Sequence, residues 1–250
     1  MTAVILAGGL GTRLRSVVSD RPKPMAEAGG RPFLEYLIDR LRQQGFRDVV
    51  LCVGHLHGQI LSHFGDGQRW GVSIRYAVEE RPLGTAGAIR NARAYADGPF
   101  LVLNGDSYLE VDLRSLIHCH RQQCLADSLA VGTLAAVALQ DAAAYGTLEL
   151  GEDHCVRSFM EKAVAAAGWV NGGVYVLEPE VPDWIPTGRP VSIEQETFPL
   201  LLASGRHLYA CPVEGFFVDI GTPEGYARFQ DHVRAMKSPR GTCADGDPAA

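Results

Sequence analysis

Gly8, Gly9 and Gly11 put three glycines into four positions, directly after the apolar run Ala3-Val4-Ile5-Leu6 and its neighbour Ala7. Thr12 and Arg13 follow, and Lys23 stands between Pro22 and Pro24 ten residues after the arginine. This reads as a buried strand emptying into a turn whose bare backbone can approach a ligand closely. Successive free N–H groups in such a turn make a cavity suited to anions. Arg13 adds a rigid fork for phosphate oxygens, and Lys23 a compact point charge. The chemistry these residues describe is the grip of a polyphosphate. A Walker loop would end in Gly-Lys-Ser/Thr, whereas these glycines lead into Thr12-Arg13. The dinucleotide fingerprint would need a third glycine three residues after the second, and the start of a helix. For the glycines alone, a tight surface turn after an edge strand is the competing explanation.

Two acids could complete such a site. Asp106 follows the apolar run Leu101-Val102-Leu103 through Asn104-Gly105, and Asp219 follows Phe216-Phe217-Val218. An aspartate among apolar residues is costly unless paired, hydrogen-bonded or bound to a cation. Two of them converging on a triphosphate would suit Mg²⁺, a hard ion that takes carboxylates, phosphate oxygens and water. Taken singly, Asp106 could instead cap a turn and Asp219 pair with a basic residue.

The chain that must position these groups has 250 residues, 46% of them hydrophobic, and a net charge of −6. That suffices for one domain with a substantial core. It lacks the basic surface that nucleic-acid or anionic-membrane binding requires. No segment is long and apolar enough to cross a bilayer. The N-terminus has no basic leader followed by an apolar stretch and cleavage site, so a cytoplasmic protein is expected. The six cysteines form no Cys-x-x-Cys pair and read as free thiols in a reducing compartment. His55-Leu56-His57 and His118-Cys119-His120 carry ligand types. Residues two apart on a helix point in different directions, however, and no transition-metal site is expected from them.

Up to about residue 110, strands at 3–6, 48–53, 73–78 and 100–103 alternate with helices at 33–41 (stopped by Gly45), 60–64 and 85–95. This rhythm predicts βαβ units: an α/β, Rossmann-like fold with a mixed, mostly parallel sheet flanked by helices. Ligands of such sheets bind beyond the carboxyl ends of the strands, where the loop at 9–13, Glu79 and Asp106 fall. A helix at 113–122 and a strand at 129–137 follow. Short strands at 147–150, 156–160, 169–177, 208–212 and 216–219, with helices at 195–203 and 224–236, extend the sheet and add a lid over its edge. One domain, 1–237, is expected, and the Gly-, Pro-, Ala- and Asp-rich tail at 238–250 is expected to be disordered.

Leu6-Ala7-Gly8-Gly9-Leu10-Gly11-Thr12-Arg13-Leu14 with Pro22-Lys23-Pro24 resembles the signature of sugar-1-phosphate nucleotidyltransferases. The resemblance implies a nucleotide-diphospho-sugar transferase (GT-A-like) fold. In it residues 1–110 bind the nucleotide, and residues 111–237, with a small β-rich lid, bind the sugar phosphate. Leu6, Ala7, Gly8, Gly9, Gly11, Thr12, Arg13 and Lys23 would contact the nucleotide, with Arg13 and Lys23 catalytic. Asn104-Gly105-Asp106 and Val218-Asp219-Ile220-Gly221-Thr222 look like the motifs of the family's metal-binding aspartates, which implies Mg²⁺ on Asp106 and Asp219. The stretch at 79–88 looks like the family's base pocket, with Glu79 as base reader beside Pro82, Gly84 and Thr85; Ala86, standing where glycine is usual, would crowd it. Asn104, Gly146, Glu161, Lys162, Asn171 and Gly172 would surround the sugar phosphate. Lys162 would hold the phosphate, Glu161 and Asn171 would bind sugar hydroxyls, and Gly146 and Gly172 would let the backbone approach the ring.

A carboxylate only accepts hydrogen bonds, and guanine offers two neighbouring donors, N1–H and the amino group. Glu79 therefore points to GTP, where thymidylyl and uridylyl members of the family commonly carry glutamine. The stretches at 11–26, 31–36, 170–175 and 217–226 resemble in particular the guanylyltransferases acting on D-glycero-D-manno-heptose 1-phosphate. That implies GDP-heptose, for a cell-surface polysaccharide, and pyrophosphate as products. A uridylyltransferase acting on N-acetylmuramate 1-phosphate or glucose 1-phosphate is one competing expectation. A non-catalytic nucleotide-binding subunit is another, against which the joint presence of Arg13, Lys23, Asp106 and Asp219 argues. The implied partners are a nucleoside triphosphate and a sugar 1-phosphate, with no nucleic acid and no membrane; a homo-oligomer is left open.

Overall fold

The structure is a computed structural model that describes residues 1–9, 14, 20–143, 145–160 and 167–237. Gly11, Thr12, Arg13, Glu161, Lys162 and the tail at 238–250 lie outside the described residues. In chain order the elements are β1 (Ala3–Leu6), β2 (Glu27–Ala28), β3 (Arg31–Pro32), α1 (Phe33–Gln43), β4 (Asp48–Val53), α2 (His57–Phe64), β5 (Ser73–Val78), α3 (Gly84–Asn91), β6 (Phe100–Asn104), β7 (Ser107–Leu109), α4 (Leu113–Ala126), β8 (Ala130–Leu139), β9 (Thr147–Leu150), β10 (Val156–Met160), β11 (Gly168–Leu177), α5 (Phe198–Ala203), β12 (His207–Val213), β13 (Phe217–Asp219) and α6 (Pro223–Lys237).

Nine strands form one sheet in the order β10-β9-β11-β6-β1-β4-β5, with β8 pairing both β11 and β12. β1, β4, β5, β6, β8, β9 and β12 run one way, and β10 and β11 oppose them, so the sheet is mixed and mostly parallel. The period of two along each strand sorts side chains between two cores. Ala3 and Ile5 of β1 enter one and Val4 the other; Val49, Leu51 and Val53 of β4 oppose Val50 and Cys52 in the same way. α1, α2 and α6 cover the first face, and α3 and α5 the second. β1 lies inside the sheet with both faces covered, which is why its sequence is an unbroken apolar run. Its register sets Leu6 opposite Cys52 and Asn104, so the loops after β1 and β6 leave the sheet side by side.

α6 is anchored by Phe229, which is fully buried against Phe33, Tyr36 and Tyr108 with ring centroids 4.8, 5.3 and 5.1 Å away. Phe229→Ala is expected to lower the unfolding free energy by about 3–5 kcal/mol. The check is a urea titration, in which the midpoint falls and the slope stays constant.

The structure moves several expected boundaries. The helix expected at 60–64 begins at His57, and α4 continues to Ala126. The helix expected at 85–95 ends at Asn91 and gives way to a 3₁₀ turn, Arg93–Tyr95. α5 is preceded by a π turn over Ile193–Thr197. β7 was not expected, because three residues become a strand only through their pairing with β13. The β9–β10 hairpin continues the main sheet and forms a rim beside its carboxyl end, with Thr147, Leu148, Phe159 and Met160 facing the cleft described next.

Candidate active site

The carboxyl ends of β1, β5 and β6 open into a cleft of about 1120 Å³. Of the residues singled out in the sequence, Leu6, Gly8, Gly9, Glu79, Pro82, Gly84, Thr85, Asn104, Asp106, Gly146, Asn171 and Asp219 line it. Ala7 is buried behind the loop.

Pairing of β7 with β13 brings the two aspartates together. Asp219 lies opposite Ser107, and the Ile220 N–H donates to the Asp106 carbonyl at 2.8 Å. Lys23 reaches both from a 3₁₀ turn, Lys23–Met25. Its Nζ is 2.5 Å from Asp106 Oδ2 and 3.8 Å from Asp219 Oδ1. The lysine side chain is 9% exposed against 37% and 26% for the two acids, so the ammonium is sunk beneath carboxylates that face the cleft. Asp219 Oδ1 also accepts from the Gly221 N–H at 2.6 Å. Thr222 then caps α6, its Oγ1 accepting from the Gly225 N–H at 3.1 Å with Pro223 in the first helical position. The pairing of Asp219 with a basic residue and its place beside Asp106 are thus both present. Among the described residues the two carboxylates share one ammonium, and their all-oxygen donor set suits a hard divalent cation.

Glu79 follows β5, and its N–H donates to the Val53 carbonyl at 2.8 Å. Its Oε2 accepts from the Leu83 N–H at 3.0 Å, which holds the 79–83 turn and orients the carboxylate. The other oxygen lies against Gly8, where a methyl group would come within 2.3 Å of it. Burial pushes the Glu79 carboxyl above the usual range, and the Leu83 amide only partly opposes this. Ala86 does not crowd this wall: its methyl is fully buried in the core under α3, and its N–H donates to Val191.

On the opposite wall β11 carries an irregularity between Asn171 and Tyr175, with Gly173 at φ +71°. Such a bulge re-aims side chains. Asn171 Oδ1 accepts from the Gly173 N–H at 2.9 Å, and its Nδ2 donates to the Tyr175 hydroxyl at 2.8 Å. Gly172 does not line the cleft. It is buried, and a Cβ there would sit 2.7 Å from Leu109, so packing against β7, not an approaching ring, excludes a side chain.

Tyr175 and Glu194 were not recognised in the sequence. The Tyr175 hydroxyl donates to Glu194 Oε1 at 3.0 Å, and Glu194 Oε2 accepts from Thr85 and Ser192 hydroxyls at 3.3 Å each. The Thr85 hydroxyl itself accepts from the Ile193 N–H at 2.8 Å. This network ties the first turn of α3 to the π turn and to the bulge. Asn104, at the end of β6, adds an amide 3.4 Å from the Tyr175 hydroxyl, while its buried Oδ1 has no partner among the described residues. One signal for Glu194 was legible: Ser192-Ile193-Glu194-Gln195 has the spacing of a capping box. The Ser192 hydroxyl accepts from the Gln195 N–H at 3.2 Å, and Glu196 returns the bond to the Ser192 N–H at 3.1 Å.

Comparison with known proteins matches this arrangement. The nucleotidyl transferase family model matches residues 2–235. The chain is 37% identical over 232 residues to a D-glycero-alpha-D-manno-heptose 1-phosphate guanylyltransferase of Campylobacter jejuni, covering 92% of this chain and 98% of that protein. It is 39% identical over 229 residues to a mannose-1-phosphate guanylyltransferase of Mycobacterium tuberculosis, covering 90% of this chain and 62% of that one. Among solved structures, HddC from Yersinia pseudotuberculosis complexed with GMP-PN matches with a TM-score of 0.80 at 32% identity, over 93% of this chain and 99% of that chain. With the match running from β1 into α6 and spanning both aspartates, the chain belongs to the nucleotidyl transferase family.

Proposed function

We propose that this enzyme transfers guanylate from GTP to a heptose 1-phosphate of the D-glycero-D-manno series, releasing pyrophosphate, with Mg²⁺ as its divalent ion. The observation that carries the reading is Lys23 beneath Asp106 and Asp219 in the wall of a cleft at the carboxyl ends of β1, β5 and β6. The sugar and base follow the relatives, which include a heptose 1-phosphate and a mannose-1-phosphate guanylyltransferase, and the carboxylate at Glu79. Residues 1–110 serve the nucleotide, and the remainder to 237 serves the sugar phosphate.

In the proposed reaction a sugar-phosphate oxygen attacks the α-phosphorus in line, and the bond to the β-phosphate oxygen breaks. The nucleophile is already anionic, so no general base is required; alignment and charge neutralisation carry the catalysis. Asp106 and Asp219 would hold Mg²⁺, which would offset phosphate charge there. Lys23 supplies positive charge beside the same phosphates, and Arg13 with the N–H groups of the loop at 8–12 holds the leaving pyrophosphate. Lys162 anchors the acceptor phosphate, Glu161 and Asn171 receive hydroxyls of the sugar, and Asn104 lines the same part of the cleft.

Glu79 accepts from the guanine edge. Glu79→Gln replaces one acceptor by a donor and is expected to narrow the GTP-over-UTP ratio in kcat/KM by about 10–100-fold, the worth of a bidentate base contact. Because the folded-state pKa is raised, the carboxylate takes up its proton at a higher pH than an ordinary glutamate does. GTP binding therefore weakens on acidification from above the usual carboxylate range, a dependence that Glu79→Gln lacks. The KM for GTP against pH in the two proteins is the check. Pyrophosphate release with each triphosphate against heptose, mannose and glucose 1-phosphates tests the whole reading. GTP with the heptose is expected to lead, and UTP with glucose 1-phosphate leading would overturn it.

A further inference from the structure

A second cluster of ligand-type side chains lies at the other end of the sheet. The nucleotide cleft borders Leu6 at the carboxyl end of β1, whereas a separate cavity of about 950 Å³ borders Met1 and Thr2 at its amino end. His120, Cys124 and Glu178 line that second cavity. His120 and Cys124 stand one helical turn apart on α4, and Glu178 directly follows β11. The spacing that brings ligands onto one face is therefore four residues, not the two of His118-Cys119-His120.

We infer that His120 Nε2, Cys124 Sγ and a Glu178 carboxylate oxygen form a site for a zinc-class divalent ion, with a fourth position open to the cavity. The three atoms form a triangle: His120 Nε2 to Glu178 Oε1 is 3.0 Å, Cys124 Sγ to His120 Nε2 is 3.6 Å, and Cys124 Sγ to Glu178 Oε1 is 3.7 Å. A tetrahedral ion with bonds of about 2.0–2.1 Å to N and O and about 2.3 Å to S sets these edges near 3.3 Å and 3.5 Å. The three edges match those lengths within a few tenths of an ångström; Cys124 Sγ, also 3.9 Å from His120 Nδ1, stands over the ring, and binding turns it toward the Nε2 lone pair. Nitrogen, thiolate and carboxylate together select zinc-type ions over Mg²⁺.

The imidazole is also held as a ligand must be. His120 is 2% exposed, and its Nδ1 is 3.0 Å from the Oγ1 of Thr133, on β8. With the ion bound, Nδ1–H donates to that hydroxyl and leaves Nε2 to the ion; in its absence the hydroxyl turns and donates to Nδ1. Without the ion, Nε2–H donates to Glu178 and the cluster is satisfied as a hydrogen-bonded group. Burial and the Glu178 charge push the Cys124 thiol up to about 11, and a bound cation reverses that effect. The ion would tie α4 to the end of β11, the strand whose bulge carries Asn171.

The test uses the full-length chain, stripped with chelator, kept reduced without thiols and supplied with Mg²⁺. Titration with Co²⁺ is expected to give a thiolate-to-cobalt charge-transfer band that saturates at one equivalent and is bleached by Zn²⁺. Cys124→Ser is expected to abolish the band and weaken binding by more than about 100-fold, and Thr133→Val to weaken it by about 10–100-fold. Zn²⁺ is expected to raise the Tm of the wild type and not that of Cys124→Ser, whose nucleotidyl transfer is unchanged. Cys119→Ser, next to a thiol pair with Cys211, is expected to keep the band. Absence of the band in the wild type, or its survival in Cys124→Ser, would overturn the assignment.

Discussion

Lys23→Met lowers kcat/KM by about 10²–10³-fold, the loss expected when one preorganised charge facing the transition state is removed. Methionine keeps the length and the apolar stem and removes only the ammonium. Lys23 is the group that Asp106 and Asp219 share, at 2.5 Å and 3.8 Å. Without it the two carboxylates lose the ammonium that lies between them. Asp106 is more than a third exposed, so water takes over much of the lost bond. The stability cost is accordingly held to about 1 kcal/mol, and circular dichroism is unchanged. A second signature separates this role from a merely structural one. With the divalent ion on Asp106 and Asp219 as proposed, Lys23 would compete with it for the same oxygens, so the Mg²⁺ concentration giving half-maximal rate is expected to fall in Lys23→Met even as kcat falls. Initial rates across a Mg²⁺ series read both quantities. A Mg²⁺ requirement that stays constant while kcat drops would leave Lys23 no role at the carboxylates.

Asp106→Asn acts in the opposite direction on the ion. The side chain keeps its shape and loses its charge, so the half-maximal Mg²⁺ concentration rises. Turnover falls by about 10³-fold, corresponding to several kcal/mol of charge stabilisation at about 1.4 kcal/mol per decade. Asp219→Asn behaves alike, because β7 and β13 hold the two acids as one unit. Residues that act as a unit are not additive. The double variant is therefore expected to lose no more than about tenfold beyond either single one, and independent roles would instead multiply the losses. Pyrophosphate release at saturating GTP, measured for the four proteins of the cycle, decides between them.

Much of the architecture was legible from short-range pattern. The apolar run of β1 and the alternation of strands and helices to residue 104 are local signals, and the elements formed there with some boundaries moved by a few residues. The two aspartates were legible for a related reason: isolated acids after buried strands are costly unless a ligand or partner repays them. Ala86 was misread because a residue type does not reveal which way its Cβ points, and this methyl is buried in the core. Gly172 is bare because a side chain there would meet Leu109.

The sequence by itself determined the order of the elements, the α/β class and the residue types gathered at the strand ends. Those follow from periodicity and backbone preference, which act over a few neighbours. Only the tertiary structure decided that Lys23 lies beneath Asp106 and Asp219, that the buried Tyr175 holds Glu194 in the wall of the cleft, and that His120 meets Glu178. These contacts join residues 83, 19 and 58 positions apart. Strand pairing, a bulge and a π turn set them, and none of these has a local energetic signature strong enough to be read before the sheet closes.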